Sequence, residues 1–173
     1  MTIETKINLE DYRKLIFTLT YRKPWTIFVT LLGLLTLTRA CLSYFGVIIQ
    51  NENMVLQFIF GILLTFLTPF KVYSTAKRNF TSNQRLQEAI EYELSKEKLK
   101  IKGESFNSEL EWSKTNRIEE LNNWFLIYQS KITANIIPKQ NLSETEIEEM
   151  RKIFLEQKNL KLKLKKTAGN SRL

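Results

Sequence analysis

The sequence predicts an α+β membrane protein, with a two-helix transmembrane hairpin and a small antiparallel β-sheet or barrel closed by a C-terminal helix. Three observations predict this fold class. Two apolar stretches, 25–49 and 54–70, are separated by only four polar residues. From Ile90 onward, apolar and charged residues alternate with the period of a β-strand. Ser143 and Glu146 then form a Ser-x-x-Glu capping box, which opens a last helix.

The composition excludes most catalytic chemistry. The 173 residues include no histidine, one cysteine and five glycines. A Cys/His metal cluster, a histidine-based nucleophile triad, a glycine-rich phosphate loop and an intrachain disulfide are therefore excluded. We predict no catalytic, cofactor-binding or metal-binding residues, and a protein that is not an enzyme.

Residues 1–23 are predicted to form a short strand followed by an amphipathic helix. Thr2 to Ile7 alternate weakly, and Asn8 is a suitable N-cap with Asp11 in the first turn. Apolar residues then recur at helical spacing up to Leu19. The apolar face of this helix suits either the headgroup boundary of a membrane or the protein's own soluble domain.

Residues 24–73 are predicted to form the hairpin, with helices at 24–49 and 54–73. About 17 to 25 apolar residues span a bilayer as a helix, and the short connector forces the two helices to run antiparallel. A cleaved signal peptide is disfavoured because a second span follows at once. A pair of core helices in a soluble protein is disfavoured because both stretches are apolar on all faces.

The charges that flank the hairpin predict its orientation. Five Lys/Arg precede Pro24 and four lie between Lys71 and Arg85, whereas the connector has none. Because positive charge marks the inner side of a membrane, we expect a multi-pass protein of the inner (cytoplasmic) membrane with both termini in the cytoplasm.

Arg39 is the candidate functional residue inside the membrane. It lies about 15 Å from the outer end of the first span at 1.5 Å per residue. A hairpin register centred on the connector places it opposite Leu64 and Thr65, with Gly61 opposite Cys41 and Leu42. Arg39 has no acidic partner there, so it snorkels, contacts carbonyls or a lipid phosphate, or meets another subunit.

The soluble part is predicted to be a linker or helix extension at 74–89 and a β-domain with a C-terminal helix at 90–157. About six short strands follow one another at hairpin spacing, with turn signals between them. The strand acids are expected to face solvent: Glu91, Glu93, Glu109, Glu111, Glu119 and Glu120. Residues 89–142 contain eight basic and eight acidic side chains, which argues against a nucleic-acid surface.

Residues 158–173 form a basic tail in which leucine and lysine alternate. As a strand, the tail would separate leucines from lysines, and as a helix it would spread the charge on all sides. We predict that it binds anionic lipid headgroups, at about 1 kcal/mol per lysine. A solvated helix end and RNA binding are the weaker alternatives. The candidate membrane-surface residues are Lys158, Lys161, Lys163, Lys165 and Lys166.

Four motifs in residues 90–157 resemble the C-terminal domain of YcxB-like proteins, which are small bacterial membrane proteins. These motifs are Trp112, Ile118-Glu119-Glu120, the strand Phe125 to Tyr128, and the strand exit Ile136-Ile137-Pro138-Lys139. The resemblance implies a pleckstrin-homology-like (PH-like) fold, in which a seven-strand sheet is closed at one end by a helix. Thr2 to Ile7 would then return across the hairpin as the seventh strand. The family offers no catalytic residues to carry over.

Together these patterns predict a non-enzymatic bacterial inner-membrane protein that presents a cytoplasmic PH-like domain for protein or lipid binding. Its expected partners are the bilayer, anionic headgroups, and a protein or a second copy of the chain. The alternative is a toxin-immunity protein or ligand-responsive defence effector that acts through an oligomerised hairpin. A membrane enzyme that uses carboxylates ranks last.

Overall fold

A computed structural model describes residues 1–48, 53–157 and 160–165 and divides the chain into two compact units. The β unit comprises Met1–Ile7 and Gln84–Leu173, and the helical unit comprises Asn8–Asn83. The chain thus leaves the β unit after one strand and returns to it after the helices. The helical unit is an insertion between the first two strands.

The helical unit consists of α1 (Leu9–Tyr21), α2 (Pro24–Tyr44) and α3 (Met54–Ser82). The Asn8 side chain accepts a hydrogen bond from the Asp11 N–H at 2.8 Å, which confirms the predicted N-cap. Helix α2 ends earlier than the predicted residue 49, and α3 continues well beyond residue 73. Residues 49–52, which include most of the predicted connector, lie outside the described residues.

Helices α2 and α3 approach each other closely at two glycines. A Cβ atom added to Gly33 would lie 2.5 Å from Thr65 Oγ1, and one added to Gly61 would lie 2.8 Å from Leu37 Cγ. These contacts confirm an antiparallel pair but shift its register from the predicted one. Gly61 faces Leu37, and Arg39 lies closest in level to Ile59.

Helix α1 packs its apolar face on α3, which neither of the two sequence-based alternatives proposed. The rings of Tyr12 and Phe80 lie 5.8 Å apart, and the Arg13 guanidinium lies 3.9 Å from the centre of the Tyr73 ring. The extension of α3 beyond the apolar stretch supplies both aromatic partners.

The β unit contains two four-stranded sheets. The first has the order β1–β2–β3–β4 and the second has the order β7–β6–β5–β8. All pairs are antiparallel except β5 with β8. The strands are β1 (Thr2–Lys6), β2 (Ala89–Leu94), β3 (Lys98–Lys102), β4 (Asn107–Glu111), β5 (Arg117–Glu120), β6 (Trp124–Tyr128), β7 (Ala134–Pro138) and β8 (Lys161–Lys163).

The pairing of β1 with β2 confirms that the N-terminal strand completes a sheet, with Ile3 opposite Tyr92. Seven strands follow the hairpin where the sequence predicted about six, and the additional strand is β8. In the described residues the two sheets remain separate, so the β unit is a pair of sheets and not a closed barrel. Tyr92 links them, because its hydroxyl donates to the Ile136 carbonyl at 3.2 Å.

Helix α4 (Glu144–Leu155) covers the core of the β unit. Its N-terminus carries the predicted capping box between Ser143 and Glu146. The Phe154 ring packs edge-on against Trp112 and Phe125, with centroids 5.8 Å and 5.6 Å away. The buried core consists of Ile3, Tyr92, Leu94, Leu99, Ile101, Leu110, Trp112, Ile118, Phe125, Ile127, Ile137, Ile147, Met150 and Phe154.

Candidate functional site

The last residue of strand β5, Glu120, places a carboxylate inside the β unit. Its side chain has 0% of its surface exposed. The prediction that Glu119 and Glu120 face solvent is therefore wrong, because both residues are buried. The Glu120 side chain is covered because the side chains of Lys139 and Arg151 lie against its carboxylate. The other four predicted solvent-facing acids are exposed.

Three parts of the chain donate hydrogen bonds to the Glu120 carboxylate. The Lys139 ammonium, just after β7, donates to Oε1. The Arg151 side chain on α4 donates from Nε to both oxygens, at 3.2 and 3.1 Å, and from Nη2 to Oε1 at 2.5 Å. The backbone N–H of Lys165 donates to Oε2 at 3.0 Å. We call these four residues the Glu120 cluster.

The hydrogen bonds of the Glu120 cluster keep the Glu120 carboxylate ionised at neutral pH. Burial raises the pKa of Glu120, but hydrogen bonds from Arg151 and Lys139 outweigh burial and leave this pKa below its usual value. Burial lowers the pKa of Lys139, and its hydrogen bond to Glu120 opposes that shift. The hydrogen bond to Glu120 raises the pKa of Arg151. The carboxylate is thus a fully engaged acceptor, and it is not available as a general base.

A cavity of about 400 Å³ lies beside the Glu120 cluster. Three of its lining residues carry positive charge, and the first turn of α4 forms part of its wall. No group of three or more Cys, Asp or Glu suited to a metal ion occurs among the residues that the structure describes. The lining residues are Asn122, Asn123, Lys139, Gln140, Leu142, Glu144, Ile147, Arg151 and Lys165.

Part of the predicted basic tail forms strand β8, which pairs in parallel with β5. Lys161 lies opposite Arg117, Leu162 opposite Ile118, and Lys163 opposite Glu119. The alternation therefore acts as a strand, with the leucines half-buried against the core and the lysines exposed. Of the five candidate lysines, the structure brings Lys161, Lys163 and Lys165 together here, whereas Lys158 and Lys166 lie outside the described residues.

Arg39, the sixth candidate residue, belongs to the helical unit and not to this site. It is exposed on α2, and no acid forms an ion pair with it within the described ranges. Among the described residues, four other polar atoms of this unit are buried without a hydrogen-bond partner: Arg13 Nε, Ser43 Oγ, Gln57 Oε1 and Thr65 Oγ1.

Comparison with known families places the site in a recognised region. Residues 94–154 match the family model described as YcxB-like protein. This match confirms the resemblance seen in the sequence motifs. No curated protein and no solved structure matched the chain. The YcxB-like region contains Glu120, Lys139 and Arg151 of the Glu120 cluster, but it ends before β8 and Lys165.

Sequence reasoning missed the Glu120 cluster because its other members lie 19 to 45 positions from Glu120 in the chain. Glu120 was predicted to be a solvent-facing acid, Lys139 was named only as part of a YcxB-like motif, and Lys165 was predicted to bind lipid. Arg151 lies on an ordinary amphipathic helix and carries no sequence signal of its own. Only the packing of α4 over the end of β5 brings its guanidinium to the carboxylate.

Proposed function

We propose that this chain is a non-enzymatic bacterial inner-membrane protein that presents a cytoplasmic PH-like domain for protein or lipid binding. The observation that carries the proposal is the uncovered apolar surface of the helical unit. Helices α2 and α3 are long and apolar enough to cross a membrane. Only 22% of the most apolar segment of α2 and 17% of that of α3 are buried within the protein. Core helices of a soluble protein would be mostly buried.

The exposed side chains of both helices are large and apolar. Trp25 is 72% exposed, Leu35 is 68% exposed and Phe70 is 69% exposed. A contiguous apolar surface of this kind needs a covering, which a bilayer supplies. The close glycine contacts between α2 and α3 are typical of helix pairs in membranes, where small residues let backbones approach.

The connectivity of the chain supports placing both termini on one side. Strands β1 and β2 pair directly, with Lys6 opposite Ala89, and the whole helical unit lies between them in sequence. A chain that leaves a sheet and returns to it must cross a membrane an even number of times. Two spanning helices satisfy that requirement, and the basic flanks favour the cytoplasm for the β unit.

The architecture of the β unit supports a PH-like domain. Seven strands, β1 to β7, form two antiparallel sheets, and α4 packs over their core. Strand β8 departs from the seven-strand pattern because it adds a parallel strand at the β5 edge.

The exposed lysines of β8 support anionic lipid as a partner. Lys161 and Lys163 lie on the solvent side of the strand, and Lys165, just after it, is exposed and donates from its ammonium to Asn122 Oδ1. Lysines near an anionic leaflet contribute about 1 kcal/mol each, and salt screens the attraction. The half-buried lysines Lys98 and Lys100 are less available, since they form ion pairs with Glu109 and Glu93.

Membrane integration and orientation test the main proposal. The protein should stay in the membrane pellet after alkaline carbonate extraction. In a Cys41→Ser background, a cysteine at Asn53 should react with an impermeant maleimide in spheroplasts, whereas one at Ser95 should react only after lysis. Release by carbonate, or the opposite labelling pattern, would contradict the proposal.

The lipid interaction has its own test with a matched control. We expect the full chain in neutral detergent to bind short-chain phosphatidylserine more weakly as salt rises. The double change Lys161→Ala/Lys163→Ala should weaken binding by about thirtyfold, from roughly 1 kcal/mol per lysine. The ion-paired control Lys98→Ala/Lys100→Ala should change it little. Equal losses in both variants would show that only net charge matters.

A second function, a toxin-immunity or defence effector that acts through an oligomerised hairpin, is favoured by Arg39. This residue is exposed on an apolar helix without an ion-pair partner among the described residues. A polar group from a second copy that packs against this helix would supply that partner. A toxin gene beside the coding sequence would support this function.

A further inference from the structure

Strand β8 covers a sheet edge that would otherwise be free. Strand β5 pairs with β6 on one side, and on the other side only with the three residues Lys161–Lys163. A free β5 edge would present unpaired backbone groups, which are a template for an added strand. We call the surface formed by β5, the Glu120 carboxylate and the adjoining core the strand-acceptor groove.

The strand-acceptor groove selects side chains at every second position. Leu160, Leu162 and Leu164 are half-buried and pack against the core of the β unit. The intervening lysines point outward, and Lys163 lies opposite the buried Glu119. The groove is therefore complementary to an extended segment with apolar residues at alternate positions and a basic residue between them.

The Glu120 cluster reads the backbone of the docked segment. Glu120 is held by Lys139 and Arg151, and its remaining contact is the backbone N–H of Lys165 at 3.0 Å. Every residue except proline carries such an N–H. A buried carboxylate aimed at a main-chain donor therefore accepts any strand of suitable shape, whereas the leucine sites supply the selectivity. This combination is the mode by which strand-addition sites bind peptides.

We propose that the strand-acceptor groove is a binding site for an extended segment of a partner protein, occupied here in cis by residues 160–165. The partner segment runs parallel to β5, carries leucine-like residues at alternate positions and has basic residues between them. The inference rests on the proposed function in protein binding and names the class of partner. The docked tail competes with the partner segment for the groove. Because only chains with an undocked tail can bind the partner, the apparent affinity for the partner falls in proportion to the fraction of such chains.

The contacts that hold the docked segment are of a kind that another strand can reproduce. They are a three-residue ladder to β5, three half-buried leucines, and hydrogen bonds from Lys165 to Glu120 and Asn122. An incoming strand that forms the same ladder and fills the same leucine sites would replace each of its contacts. The docked segment itself shows the chemistry that the groove accepts.

The test measures binding of a fluorescent peptide of residues 157–166 to the full chain in neutral detergent micelles, by anisotropy. The wild-type chain is compared with Leu162→Asp/Leu164→Asp, whose own tail should no longer dock. We expect the peptide to bind this variant at least tenfold more tightly than the wild type. A peptide with the same two leucines changed to aspartate should lose binding, and a peptide with Lys165→Pro should bind at least fivefold more weakly.

Several results would overturn the proposal. These are equal peptide affinity for the wild type and the tail variant, equal binding of the aspartate peptide, or a wild-type dimer that is lost in the tail variant, which would assign the groove to a second copy. The thermal melt and tryptophan fluorescence of each variant report folding. If the two aspartates unfold the chain, the variant Lys165→Pro replaces them in the test. It removes only the backbone N–H that donates to Glu120. The binding test in neutral micelles does not depend on membrane anchoring. A protein that resists carbonate extraction but fails to bind the peptide would contradict this inference and leave the proposed membrane integration intact.

Discussion

The β unit and the helical unit contain the same kinds of apolar residue but treat them in opposite ways. In the β unit, Leu99, Ile118 and Phe125 have 0% of their surface exposed. In the helical unit, Trp25 and Phe70 are about 70% exposed. The β unit surrounds its apolar residues with two sheets and a helix, whereas two paired helices can cover only one side of each other. The first unit makes its own core, and the second requires one from its surroundings.

Polar groups show the reverse contrast. The buried Glu120 of the β unit has all of its charge engaged by Lys139, Arg151 and the Lys165 N–H. In the helical unit four buried polar atoms, among them Gln57 Oε1 and Thr65 Oγ1, lack partners among the described residues, whereas the β unit has one such atom, Asn135 Nδ2. A buried polar atom without a hydrogen bond costs free energy, so these helices are the less complete of the two units when considered alone. The following changes test this comparison.

The largest effect is expected from Phe154→Ala in the core of the β unit. Phe154 is fully buried and contacts both Trp112 and Phe125, so its loss leaves a cavity that should cost about 3 to 5 kcal/mol. The neighbouring Leu155 is 65% exposed, and Leu155→Ala should cost under about 1 kcal/mol. Denaturant unfolding followed by tryptophan fluorescence in a Trp25→Phe background measures both. Equal costs would contradict the assigned core.

A loss of about 3 kcal/mol is expected from Glu120→Gln, because it leaves the buried Lys139 and the half-buried Arg151 without their counter-charge. The control Glu91→Gln removes an exposed carboxylate and should change stability by about 0.5 kcal/mol or less. The same unfolding measurement applies. Amide hydrogen exchange at residues 161–165 should also become faster in Glu120→Gln. Unchanged exchange there would show that the Glu120 carboxylate does not help to hold β8 on β5.

In the helical unit, Gly33→Val should destabilise the α2–α3 pair by about 1 to 3 kcal/mol. Even a Cβ atom at this position would approach the Thr65 backbone nitrogen to 2.8 Å, so the helices must separate. Leu35→Val, on an exposed position of the same helix, should leave the pair unchanged. Resistance to unfolding by dodecyl sulfate, followed by circular dichroism, measures the difference. A stable Gly33→Val protein would show that the helices do not pack through this glycine.

The pH dependence of the β unit should depend on Glu120. Its pKa in the folded protein lies below the usual value, so its contribution to stability is complete above a pH of about 4.3, the ordinary value for glutamate. That contribution is lost as pH falls from there through the folded pKa. Wild-type stability should therefore drop more steeply below pH 4.3 than that of Glu120→Gln. Parallel curves for the two proteins between pH 6 and pH 3 would contradict this assignment.

The smallest effect on stability is expected from Arg39→Leu. Arg39 is exposed and lacks an ion-pair partner among the described residues, so its removal should leave membrane integration and the unfolding of the β unit unchanged. Subunit count, measured by native mass spectrometry, distinguishes the two proposed functions. An unchanged count favours the membrane-anchored binding domain, and an altered count or altered membrane leakage favours the oligomeric effector.

The regular elements were predictable from local patterns. Apolar runs of membrane length gave α2 and α3, and the Ser143 capping box gave the start of α4. The alternating residues gave the strands. The pairing of Thr2 to Ile7 with the sheet followed from the YcxB-like resemblance. Each of these signals lies within a few neighbouring residues, where helix and strand periodicity act directly.

The hairpin register and the burial of Glu120 could not be predicted from local sequence. The register depends on where glycines let the two helices approach. Gly33 lies against Thr65, whereas a register centred on the connector placed Arg39 opposite that residue. The burial of Glu120 depends on β5 having a neighbour on each side and α4 beside it.

The sequence by itself therefore determined which segments are helices, which are strands and which part of the chain lacks a core of its own. Only the tertiary structure decided that the basic tail contributes a strand to the β unit, and that Glu120, Lys139 and Arg151 meet. The physical reason is the distance along the chain between the residues that interact. Periodicity and capping act between residues a few positions apart, whereas β8 docks on β5 across about 44 positions, through backbone hydrogen bonds and a buried charge that carry no local pattern.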